Sequence, residues 1–172
     1  SAAVTIAVEA GVLTFASSNQ AGGFGIVRWD GVATGGAIDV DGLGSQDLYA
    51  GANVGFMLTV NESDLGFPFT MNIYTNGGTR FSSLTLAARA VTFGSPESFF
   101  IPFSSFIGAD VLNAVPDPVT GLIARTTING PVDFSSVSAL EAIINTNGFT
   151  RNVDMTIDIV QAVPEPGSLA LA

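Results

Sequence analysis

The feature that most constrains the fold is a period of two. Val4, Ile6 and Val8 alternate with Thr5, Ala7 and Glu9; after Gly11, Leu13 and Phe15 alternate with Thr14 and Ala16. Val54, Phe56, Leu58 and Val60 mark one face of a run whose other face carries Gly55, Met57 and Thr59. Phe69, Met71 and Ile73 oppose Thr70, Asn72 and Tyr74, and Val153, Met155, Ile157 and Ile159 oppose Asp154, Thr156 and Asp158. Successive strand residues point to opposite faces, so the pattern predicts half-buried strands rather than amphipathic helices. Further strands are predicted over residues 24–29, 81–87, 89–93, 99–103 and 122–128. The 99–103 run, followed by Phe106, reads as a central strand with a proline at its end; exposed, it would be an association surface.

Turn chemistry agrees. Asn76-Gly77, Asn129-Gly130 and Asn147-Gly148 pair residues that tolerate positive φ, as tight turns require. Nine or ten short strands at intervals of about 8–16 residues predict an all-β, antiparallel, jelly-roll-like sandwich rather than alternating βα units. The 172 residues suit one domain; its predicted span is 1–162, with a C-terminal tail at 163–172. At most one short helix is expected. Residues 133–145 open like a capped helix, with Ser135 ahead of an Ala/Leu/Glu-rich stretch, but a short helical turn leading into a strand is the favoured reading. Residues 31–51 form a long polar, glycine-rich loop, and Pro116-Asp117-Pro118 marks another. No run approaches the 18 apolar residues of a membrane span.

Composition then removes most chemistries. The five basic residues are all arginines (Arg28, Arg80, Arg89, Arg125 and Arg151) against fifteen acidic ones, giving a net charge of −10. There is no histidine, cysteine or lysine. The first absence removes imidazole bases and His-ligated metals; the second, disulfides, thiol catalysis and thiolate zinc. The third removes phosphate-binding P-loops and Schiff bases. The acidic balance repels phosphate backbones, so nucleic acid is not an expected partner. The expected protein is not an enzyme. A glycosidase needs two carboxylates at a set separation, and fifteen acids always allow some pair.

Binding chemistry remains. Asp39, Asp41 (followed by Gly42) and Asp47 place hard carboxylate oxygens on a glycine-containing loop, the ligand type calcium prefers. The same pattern serves a solvated acidic turn, which is the plainer reading. Trp29, between Arg28 and Asp30, and Tyr49 are the candidate glycan contacts. Trp29 reads equally as a core residue whose neighbours face outward. Asp154 and Asp158 read as solubilising charges.

After the last predicted strand come Pro164, Glu165 and Pro166, then Gly167, Ser168 and the start of an apolar segment. This ending resembles the opening of a PEP-CTERM sorting signal, the C-terminal tag of bacterial proteins exported and processed by exosortases. In that family a membrane-spanning stretch and an arginine-rich end follow; neither does here, which leaves truncation or processing open. The body, with runs such as 27–31 and 63–66, resembles sandwich ectodomains of that group. The resemblance implies an exported protein at the outer surface or in the exopolysaccharide-rich matrix of a Gram-negative bacterium. On that basis the expected function is a non-catalytic structural protein that self-associates into a filament or matrix, by strand addition at a sheet edge. The alternative is a carbohydrate-binding sandwich holding extracellular polysaccharide. No cofactor is expected beyond a structural calcium ion.

Overall fold

Turn residues set out the hairpins from which the sheets are built. Ala10 and Gly11 (φ 51° and 83°) join β1 (Val4–Glu9) to β2 (Val12–Ser17). Asn76, Gly77 and Gly78 (φ 54°, 64° and 75°) join β5 (Phe67–Thr75) to β6 (Arg80–Ala88). In the computed structural model, residues 4–18, 21–32, 36–112, 115–117, 121–148 and 150–164 are described, and they hold eleven strands. The others are β3 (Gly25–Trp29), β4 (Gly55–Ser63), β7 (Glu97–Pro102), β8 (Val111–Leu112), β9 (Leu122–Ile128), β10 (Val137–Ile144) and β11 (Asp154–Val163). The helical content of the described residues is three short 3₁₀ turns, Ala50–Ala52, Phe103–Phe106 and Thr146–Gly148.

The strands form a β-sandwich of two antiparallel sheets, ordered β1-β2-β11-β4-β7 and β3-β10-β5-β6-β9-β8. The alternation becomes the core. Phe15, Phe56, Leu58, Val60, Met155 and Ile157 of the first sheet share one cluster with Phe69, Met71, Ile73, Leu84, Ala142 and Ile144 of the second. Aromatic rings also join this core. Phe103 stacks on Phe134 at 4.1 Å, and Phe56 meets both edge-on at 5.0 and 6.2 Å.

Three expectations need amending. The 99–103 run is not a central strand: β7 lies at the edge of its sheet, where a proline without an N–H is tolerated. Phe103 and Phe106 leave that strand for a 3₁₀ turn and are buried. Residues 89–93 form no strand. Val91 makes one isolated bridge to Ser63, after which a turn closed by Ser95 N–H to the Thr92 carbonyl, with Gly94 at φ 79°, carries the chain away. In 133–145, the Asp133 side chain accepts from both the N–H and the hydroxyl of Ser135, making a turn that enters β10, as the favoured reading had it. Finally, the apolar face of β1 is not buried. Val4, Ile6 and Val8 pair with Ser17, Phe15 and Leu13 on the core side of the sheet, yet they are 40, 44 and 67% exposed. Residues 22–25 give this overhang partial cover. Gly23 and Gly25 let the segment come this close, since a Cβ would stand 2.4 Å from Val4 Cγ2 or 2.8 Å from Ile6 Cδ1 and those side chains would have to shift.

Candidate functional site

The face of β5 turned away from the core carries Thr70, Asn72 and Tyr74. Cross-strand register aligns these side chains into rows with their neighbours. One row runs Arg28 (β3), Glu141 (β10), Asn72 (β5), Ser83 (β6) and Thr126 (β9). The next runs Ala139, Tyr74, Phe81 and Ile128. The outer face of the six-stranded sheet therefore sets an aromatic row beside a row of hydrogen-bonding groups.

The polar row is tightly connected. Arg28 Nε donates to Glu141 Oε2 at 2.7 Å, and Asn72 Nδ2 donates to Glu141 Oε1 at 2.9 Å. Arg28 also donates through Nη1 to the Gly36 carbonyl, tying the long loop to the sheet. Asn72 is only 8% exposed, and among the described residues its Oδ1 has no hydrogen-bond partner. Such an orphaned buried acceptor is uncommon and costs stability unless something satisfies it. One row further along, Thr70 Oγ1 lies 2.7 Å from both Thr85 Oγ1 and Thr146 Oγ1.

The aromatic row holds a half-buried pair. The Tyr74 and Phe81 rings have centroids 4.9 Å apart at a 46° tilt. Burial is the largest cause lifting the Tyr74 phenol above its ordinary pKa of 10.0; the Glu141 carboxylate adds to the lift and the Arg28 guanidinium opposes it. Tyr74 is thus held as a neutral phenol beside a charged pair, able to donate and accept hydrogen bonds.

The residues singled out from sequence are placed elsewhere. Trp29 pairs with Leu140 on the opposite side of β3 from Arg28 and packs against the core. Of the reading of Trp29 as a core residue with outward neighbours, the core packing and the outward Arg28 hold, but Asp30 does not face out. Asp30 is buried and secures the base of the loop, its carboxylate accepting from the N–H groups of Val32 and Asp39. Tyr49 is exposed, but its ring lies edge-on to Phe103 and Phe134, at 5.6 and 6.2 Å. Asp39 caps the Asp41 N–H, and Asp47 caps the Tyr49 N–H. Among the described residues, no group of three or more His, Cys, Asp or Glu side chains is placed to hold a metal ion, so Asp39, Asp41 and Asp47 are not brought together as a triad. The loop instead runs beside the start of β10, with Gln46 and Val137 exchanging backbone hydrogen bonds of 2.8 and 2.9 Å. Of the tail, Pro164 ends the described chain, and Glu165, Pro166 and residues 167–172 lie outside it.

Sequence reasoning did not select Tyr74 and Phe81 as a site. The signal for Tyr74 was present: it is the aromatic on the polar side of its run, in step with Thr70 and Asn72.

Fold and face together define an antiparallel β-sandwich with a polar–aromatic outer sheet. No protein-family model and no curated protein matches the sequence. Among solved structures, the chain is similar to part of an agarase, AgWH50C, at a TM-score of 0.54 and 14% identity, over 95% of this chain and 22% of that one. It is likewise similar to part of PfGH50B, at a TM-score of 0.54 and 8% identity, over 96% of this chain and 22% of that one. The chain thus spans about a fifth of the length of either protein, and the likeness is one of fold.

Proposed function

We propose that the outer face of the six-stranded sheet binds polysaccharide, on an exported protein displayed at the bacterial surface or in its matrix. The observation that carries this reading is the Tyr74–Phe81 pair set beside the Arg28–Glu141–Asn72 row. Sugar rings present apolar C–H faces ringed by hydroxyls, so a recognition surface combines an aromatic platform with fixed donors and acceptors. The sandwich also resembles part of a protein named for its action on agar, which supports a carbohydrate setting. Binding rather than turnover is proposed. The ending at Pro164, Glu165 and Pro166 supports export and surface display. Affinity electrophoresis through agarose and through neutral and acidic polysaccharides tests the reading. Wild type is expected to be retarded by at least one of them, and Tyr74→Ala to lose that binding about tenfold or more, as truncation of a central aromatic anchor does. Retardation of Tyr74→Ala equal to wild type, or by no polysaccharide at all, would overturn it.

A second reading, self-association into a filament or matrix, is favoured by one observation. The edge strand β1 keeps Val4, Ile6 and Val8 exposed on an edge that no other strand of the described residues pairs, with Phe24, 55% exposed, in the segment that crosses beneath them. An apolar, unpaired edge is a template for another strand, here that of a second copy. Sedimentation velocity is expected to show concentration-dependent association that Ile6→Lys abolishes. A wild-type monomer at high concentration sinks this reading and leaves the first untouched.

A further inference from the structure

On the opposite side of β6 and β9 from the aromatic row, the two sheets part along the edge strand β7. There they leave a cavity of about 490 Å³, within the range of small-molecule sites. Its walls include Leu58 from the first sheet, Phe69, Leu84, Leu86 and Leu122 from the second, and Phe99 from β7. Arg125 also lines it. In register, Arg125 pairs with Leu84, a core residue, so its side chain leaves β9 on the inner side of the sandwich.

The Arg125 guanidinium stands at the solvent-touched rim of this cleft, its bonds through Nε and Nη2 exposed and the one through Nη1 half-buried. Its partners are neutral groups: Nε and Nη2 donate to the Ala109 carbonyl at 2.9 and 2.8 Å, and Nη1 donates to the Ser105 carbonyl at 3.0 Å. Three of its five N–H groups can be used this way, leaving donors over. Among the described residues the ion pairs are Arg28–Glu141 and Arg89–Glu97, so no carboxylate is placed on Arg125. The other arginine on this side, Arg89, stands over the Phe99 ring but is paired with Glu97 at 2.6 Å. The cleft therefore combines a leucine- and phenylalanine-lined interior with one anchored cation that lacks a carboxylate.

We propose that this cleft binds an amphipathic carboxylate, its alkyl chain between the sheets and its head group on Arg125. The carbonyls that grip the guanidinium hold it in place, so a bound carboxylate meets a preorganised donor pair rather than a mobile side chain. The site is independent of the polysaccharide face and needs none of its residues.

Isothermal titration of the whole chain with dodecanoate below its micelle concentration, alongside dodecanol and acetate, tests the proposal. Saturable dodecanoate binding is expected, about tenfold or more tighter than dodecanol, the scale of a charge-assisted hydrogen bond. Acetate, without the chain, is expected not to bind measurably. Arg125→Gln is expected to erase the preference for the carboxylate while keeping dodecanol binding, and Leu122→Trp to weaken both by filling the cleft. No saturable dodecanoate binding, or equal affinity for dodecanoate and dodecanol in the wild-type chain, would overturn the proposal without recourse to any variant.

Discussion

Phe134→Ala is expected to lower the unfolding free energy by about 4–5 kcal/mol, the largest single loss we anticipate. The side chain is fully buried, stacked on Phe103 at 4.1 Å and 11°, and met edge-on by Phe56 at 6.2 Å, Phe106 at 5.7 Å and Tyr49 at 6.2 Å. Truncating a core phenylalanine costs roughly 3–5 kcal/mol through lost transfer energy and the cavity left behind, and the aromatic contacts add to it. Phe134 also sits in the turn that starts β10, where its carbonyl accepts from the Leu48 N–H and anchors the long loop. The pocket it leaves is therefore bordered by tethered backbone that collapses poorly. No disulfide limits the unfolded state. Against an ordinary stability of about 5–15 kcal/mol, this variant should be only marginally folded. Its melting temperature should fall by about 8–20 °C, at roughly 2–4 °C per kcal/mol for a chain of this size. Urea unfolding decides the matter. A loss below about 1.5 kcal/mol would mean that the neighbouring rings refill the space.

Glu141→Ala should cost about 2–3 kcal/mol, for a different reason. The carboxylate is the shared acceptor of Arg28 and Asn72, so its removal strands two donors at once. Breaking a fully buried ion pair costs roughly 3–5 kcal/mol. The smaller figure applies because the Arg28 side chain is 29% exposed and can regain water. Asn72 cannot, because its amide is buried and, among the described residues, its Oδ1 already lacks a partner. A double-mutant cycle over Glu141→Ala and Asn72→Ala should therefore be non-additive, the second substitution costing less once the first has been made. Simple additivity of the two losses would show that the amide and the carboxylate act separately.

The strands that alternate most cleanly, β4, β5 and β11, were legible in the sequence because their large apolar residues fall on one face, the one turned to the core. Which way a strand's two faces turn was less so. Arg28 and Trp29 must point oppositely, and the sequence alone does not say which of them meets the core. The answer comes from the pairing of β3 with β10, across 113 residues between Arg28 and Glu141. The polar row escaped notice for the same reason, since its members come from five strands and only register brings them together. Val4, Ile6 and Val8 have the alternation of a covered strand without the cover, because burial depends on how far the opposite sheet extends. The carboxylates at 39, 41 and 47 carried real ligand chemistry, but backbone N–H groups within two residues claim two of them. Asp-rich loops meet that competition wherever they turn tightly.

The place of β11 has a consequence for the order in which the molecule is assembled. It lies between β2 and β4 and is bonded to both, with Met155 opposite Phe15 on one side and Ser63 on the other. A chain emerging from a ribosome or a membrane channel with its amino end first holds β1–β2 and β4–β7 as two fragments with bare inner edges. They join only when residues beyond 154 arrive, a long-range closure that is slow by nature. Until then the fragments offer strand edges to any neighbouring chain. Completing the first sheet is thus a late, vectorial event, and a chain interrupted upstream of Asp154 should aggregate rather than fold in part.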